Sequence, residues 1–177
     1  MNIIPYLKNN RFVVVLSLHS AKEYIPTLIA ELALRGPVTV LDAGNQFQAY
    51  RIVQLIRLRS LHVDDIAKRI AVRRAFTCYQ TVSLLAETPA QPHPYVILDL
   101  LASFYDDQVS ILECRRLLTI CIKEIERLSF TAPVVLDLPP IRVEAKSFLM
   151  DELCRRADEV FILETLPAIQ EKQLALF

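Results

Sequence analysis

Apolar positions along the chain fall into two alternating kinds of run. Short continuous ones, rich in Val, Ile and Leu, occur at Phe12–Leu18, Val38–Asp42, Ile70–Phe76, Tyr95–Leu101, Pro133–Leu138 and Glu159–Glu164. Between them lie longer stretches with helical spacing: Ser20–Arg35, closed by Gly36 and Pro37, then Phe47–Ser60, Thr77–Glu87, Gln108–Phe130 and Glu144–Ala157. The segment Thr88–Pro94 is a proline-rich loop. Strands that are apolar throughout, rather than alternating, are covered on both sides, and helices between them supply the cover. The pattern predicts an α/β fold of three layers, a mostly parallel six-stranded sheet with helices on both faces. It spans residues 1–165 as one domain, with 166–177 as a tail. Cys114 and Cys121, seven apart with Leu117 and Leu118 between them, form a core stripe of the longest helix.

Four of the strands carry an acid at or near the carboxyl end: Asp42, Asp99, Asp137 and Glu164. That edge of an open parallel sheet is where ligands sit. The acids read either as a magnesium or phosphate site or as caps of the following turns. Capping is preferred, because no basic or glycine-rich cradle accompanies them. Asp106 and Asp107 read as a cap pair for the long helix. Ser17, His19 and Ser20 lie near a strand end, but no acid is assigned to orient His19, so a surface histidine is the simpler reading.

Composition narrows the chemistry. There are 2 glycines in 177 residues, Gly36 and Gly44, so neither glycine-rich phosphate loop can be built. Lys plus Arg is 20 and Asp plus Glu is 20. Overall charge therefore offers no grip on nucleic acid, though Arg51, Arg57, Arg59, Lys68, Arg69, Arg73 and Arg74 gather in one stretch. They read as a DNA-phosphate patch or, more simply, as a solvated helical face. The four cysteines make no C-x-x-C and no zinc spacing with the three histidines, and they read as reduced thiols of a cytosolic protein. No apolar run approaches the length of a membrane span, and no signal-peptide pattern is present.

Three segments in order carry a resemblance. Leu41–Ile52 (LDAGNQFQAYRI), Arg73–Leu85 (RRAFTCYQTVSLL) and Tyr95–Asp99 (YVILD) resemble the corresponding pieces of the RecA-like recombinase ATPases, the last being similar to the strand that ends in the Walker B aspartate. The resemblance implies a RecA-like fold over roughly Phe12–Glu164. It also implies where a nucleotide would sit: Lys22 aligns with the phosphate-loop lysine, Asp99 with the Walker B acid, and Asp42 stands nearby. The departures imply that the site is degenerate. Leu16 and Ala21 replace loop glycines, Glu23 replaces the magnesium-binding Ser/Thr, and Gly44 falls on the catalytic glutamate position. Ser20-Ala-Lys-Glu23 reads as a capping box, which sets a carboxylate at the helix terminus that phosphate would use. Pro26 kinks that helix or postpones its start. The segments that match the family's DNA-contacting loops, Ala102–Gln108 and Leu138–Arg142, are short, and the arm ahead of the first strand is cut to about ten residues.

The final segment Gln173-Leu174-Ala175-Leu176-Phe177 resembles the Q-L-S/D-L-F peptide by which bacterial replication and repair proteins hold the sliding clamp. Gln173 would hydrogen-bond in one pocket while Leu174, Leu176 and Phe177 enter an apolar groove. The alternative is a last amphipathic turn packed on the core. Together the resemblances imply a pseudo-ATPase scaffold in DNA repair, recombination or translesion synthesis, similar in plan to the ImuA-type accessory proteins. Its partners would be the clamp and a translesion polymerase or a recombinase, and it would use no cofactor. Two alternatives stand beside it. One is a switch that still takes ATP and magnesium through Lys22, Asp42 and Asp99. The other is a regulatory binding module outside DNA metabolism.

Overall fold

The computed structural model describes residues 3–7, 11–17 and 23–163. Its sheet has six strands, all parallel: β1 (Phe12–Ser17), β2 (Val38–Asp42), β3 (Ile70–Arg74), β4 (Tyr95–Leu98), β5 (Val134–Leu138) and β6 (Glu159–Leu163), in the order β3-β2-β4-β5-β1-β6. The helices are α1 (Tyr24–Arg35), α2 (Ala49–Arg57), α3 (Val63–Ala67), α4 (Cys78–Glu87), α5 (Ile111–Ser129) and α6 (Phe148–Arg156). The expected three-layer α/β plan is therefore present. It is consistent with a RecA-like arrangement, and other Rossmann-like folds share it.

Strand order and chain order together dictate the layers. From β1 to β2 to β3 the chain steps toward one edge, and from β3 to β4, β5 and β6 it steps back. Right-handed crossovers, the near-universal hand, must then put α1–α3 on one face and α4–α6 on the other. The two cores divide that way. Ile25, Leu28, Ile29, Ile52, Ile56 and Ile66 pack on Val15, Val40, Val96 and Val135. Leu84, Leu117, Cys121, Ile125, Leu149 and Leu153 pack on Val14, Leu41, Ile97 and Leu136. Successive strand residues alternate between these two cores, as the period of two requires. The core stripe of α5 is as expected, and Cys78, Cys114 and Cys121 are buried free thiols, with Cys154 half-buried.

Several element ends differ from the sequence reading. Helix α1 begins only at Tyr24, so Glu23 occupies its N-cap rather than the third helical position of a capping box. Pro26 then falls in the first turn, where no intrahelical partner for its nitrogen is lost. Ser20, Lys22 and His19 lie outside the described residues. The stretch 47–60 holds a shorter helix, and the polar turn Val63–Ala67 is a helix of its own. Ser110, not Asp106 or Asp107, caps α5: its hydroxyl accepts from the Glu113 amide at 3.2 Å. Asp106 instead accepts from the Gln108 amide, two residues on. Strand β3 is an exposed edge, with four of its five residues open to solvent. Among the described residues no helix is long and apolar enough to cross a membrane.

Candidate functional site

Reversal of the chain's direction across the sheet leaves two crevices at the carboxyl edge. One lies between β2 and β4, whose following helices sit on opposite faces, and the other between β5 and β1 for the same reason. Asp42 and Asp99 stand at the first, Asp137 and Ser17 at the second. The fold thus collects three of the four strand-end acids on neighbouring strands, while Glu164 lies outside the described residues. Among the described residues no group of three or more His, Cys, Asp or Glu is placed to hold a metal ion.

Each acid has its own partners. Asp42 is fully buried, and its carboxylate accepts from the amides of Gln46 at 2.8 Å and Phe47 at 3.2 Å. It therefore closes the turn into α2, as the capping reading expects. Arg74, reaching in from the edge strand, donates at 3.1 Å to Oδ2, the oxygen that also accepts from Phe47. Asp99 directly follows β4 with φ of 46°, a left-handed conformation that Asp tolerates better than most residues. Its carboxylate is ion-paired with Arg142, from the loop after β5. Burial raises the pKa of Asp99 above the ordinary carboxylate range, and Arg142 pulls against that rise. Gly44 lies directly against Asp99: a Cβ there would fall 2.7 Å from both the Asp99 carboxyl carbon and Oδ2.

Asp137 is 7% exposed and accepts a hydrogen bond from the Ser17 hydroxyl across the β1–β5 pair. Burial pushes its pKa up to about 6, against the Ser17 bond, with the nearby charge of Asp99 adding to the rise. Beside it opens a cavity of about 500 Å³. Its walls come from the first turns of α1 and α2, and from Pro139, Pro140 and Ile141 of the β5 loop. Ser17, Asp137, Arg142, Gln46 and Gln48 are its polar lining.

No protein-family model matches the chain, and no curated protein matches it.

The basic stretch does not present a bare cationic face. Arg51 pairs with Glu23, Arg59 with Glu31, Lys68 with Asp65, Arg73 with Glu87 and Arg74 with Asp42. Arg69 donates to the carbonyls of Ala33 and Leu34 at the end of α1. Arg57 is exposed on α2. These residues lie along α2, α3 and β3, and most of their charge is answered within the chain. Lys22 and the tail residues Gln173, Leu174, Leu176 and Phe177 lie outside the described residues. Sequence reading missed Arg142, Ser17 as the partner of Asp137, and the buried Lys146. Lys146 is 5% exposed, and its ammonium donates to the carbonyls of Phe104, Asp106 and Val109 at 2.9, 2.7 and 3.0 Å. The only sequence signal for Arg142 was its place just after the strand that carries Asp137.

The buried Asp137 sets a measurable pH dependence. Its carboxyl holds a proton more tightly folded than unfolded, so the native state binds more protons between about pH 4 and 6. Stability then falls as pH rises through that window and levels off above it. The gap between 3.8 and about 6 corresponds to about 3 kcal/mol. Asp137→Asn, which stays neutral and can still accept from Ser17, should therefore be more stable than wild type at pH 7.5 by about 1–3 kcal/mol. At pH 4 the difference should shrink to within about 1 kcal/mol. Urea melts at both pH values measure this, and equal differences at the two pH values would refute it.

Proposed function

We propose that the chain is an ATPase-inactive, RecA-type scaffold of bacterial DNA repair, recombination or translesion synthesis, working in the cytoplasm. On this reading Gln173–Phe177 holds it to the sliding clamp. The observation that carries the inactive reading is the Asp99–Arg142 ion pair. The acid aligned with Walker B is buried, bound to a cation of its own chain and wedged on Gly44, instead of standing free for magnesium. Glu23 at the N-cap of α1 and Pro26 in its first turn add to this. Glu23 stands where the resemblance calls for a magnesium-binding Ser/Thr and gives its carboxylate to Arg51, and Pro26 removes one of the few free N–H groups.

For the core's partner, the reading favours a chain that adds a strand. Among the described residues β3 pairs with β2 alone, and its outer edge is flanked by exposed Val72, Phe76 and Tyr79. A recombinase or polymerase segment laid along that edge would satisfy its open backbone groups.

Clamp binding is the test. The full chain should bind a bacterial sliding clamp with micromolar affinity, roughly −8 kcal/mol or weaker, as expected of a short peptide that is ordered on binding. Leu176→Ala with Phe177→Ala should abolish the heat of binding in calorimetric titration and leave the melting temperature unchanged. Gln173→Ala should weaken binding less, since one neutral hydrogen bond contributes about 0.5–1.5 kcal/mol. No heat from the wild type, together with a lowered melting temperature in the double variant, would instead mean a tail packed on the core.

A further inference from the structure

The cavity beside Asp137 has a charge pattern unsuited to phosphate. Its volume of about 500 Å³ lies within the usual range for small-molecule sites. Ile25, Ile29, Ile52, Leu98, Pro140 and Ile141 give it apolar walls. One cation lines it, Arg142, and that guanidinium is already bound to Asp99. One acid lines it, Asp137, more than nine-tenths buried, with the Ser17 hydroxyl as its hydrogen-bond partner among the described residues. A buried carboxylate with no cation opposite it, at the base of an apolar cavity, is most improved by a ligand that brings the missing positive charge together with apolar surface.

We propose that this cavity is a binding site for a small organic cation. Its ligand is a compact hydrocarbon or aromatic body bearing one ammonium or guanidinium head. The head bonds Asp137, and the body fills the space between the first turns of α1 and α2 and the Pro139–Ile141 loop. The amide side chains of Gln46 and Gln48 offer neutral hydrogen bonds at the rim. Nothing in this depends on the clamp or on the scaffold reading.

Three probes with similar bodies and different heads test it by titration: 2-phenylethylammonium, 2-phenylethanol and 3-phenylpropanoate. The ammonium should bind the full-length protein saturably and at least tenfold more tightly than the alcohol. The carboxylate should bind no better than the alcohol. Asp137→Asn should cost the ammonium at least tenfold while leaving the alcohol within twofold. Ile141→Lys, at a rim residue 43% exposed and so safe for folding, should also weaken the ammonium at least tenfold by setting a like charge at the mouth. Carboxylate binding as tight as that of the ammonium would overturn the proposal, since it would mean that Arg142 leaves Asp99 to serve an anion. So would ammonium binding indifferent to both substitutions, or no saturable binding of the ammonium.

Discussion

Lys146→Met is expected to remove about 3–5 kcal/mol of folding stability. Methionine keeps the apolar stem of the side chain and deletes the ammonium, so the loss isolates the charge-assisted bonds. Three carbonyls, of Phe104, Asp106 and Val109, would be left facing a thioether that cannot donate. Phe104 and Val109 would keep the weak thiol of Cys114 and Asp106 the Val109 amide, so each carbonyl loses its charged donor at about 1–3 kcal/mol, and local relaxation or entering water recovers part of the sum. The substitution should also act locally. Amides of the segment 102–109, which Lys146 ties to the start of α6, should lose protection from hydrogen exchange before those of β4 or β5. A loss under 1 kcal/mol in urea melts would mean that water replaces the ammonium at no cost.

Gly44→Ala should be about as damaging, at about 3 kcal/mol or more, a drop in melting temperature of roughly 6–12 °C for a chain of this size. The new methyl would meet the root of the Asp99 side chain, not a flexible tip, so no simple rotation relieves the overlap. The clash has one removable partner. Asp99→Gly takes away the obstructing atoms and suits the φ of 46° at that position, though it also leaves Arg142 unpaired. In the Gly44→Ala background, Asp99→Gly should therefore restore stability, whereas on its own it should reduce it. A coupling of about 1–3 kcal/mol in the double-mutant cycle is expected. Additive losses would show that the two residues do not press on each other.

These two sites show which parts of the molecule a sequence can disclose. The strands were legible because a parallel sheet covered on both faces demands unbroken apolar runs, a local property of the chain. All six were found, most of them to within one or two residues at either end. Asp42 was legible as a turn cap because the amides that donate to it lie four and five residues on. Lys146 was not, since in a helical pattern it reads as one more surface lysine. Its partners come from residues some forty positions earlier, and the short 3-10 turn Glu144–Lys146 aims it inward. Arg142 and Ser17 share that character, meeting acids 43 and 120 positions away. The edge position of β3 was likewise invisible, because strand order is fixed by crossover direction and not by composition. The α5 cap was misassigned for a local reason: Asp106 and Ser110 both have capping chemistry, and the turn at 106–109 used the first and left the second for the helix.

The placement of β1 has a consequence for how the protein is made. Both strands that flank it, β5 and β6, come from residues 134–163, so among the described residues Phe12–Ser17 has no strand partner until residue 134 and those after it are made. At typical synthesis rates the interval is roughly 6–25 s. Throughout it a run of Phe-Val-Val-Val-Leu, uncharged and strongly disposed to pair, waits outside the ribosome with the rest of the sheet assembling without it. Newly made chains are thus most vulnerable at their first strand. A holding chaperone that engages the amino-terminal segment during translation would protect the yield of this protein more than any change at its surface.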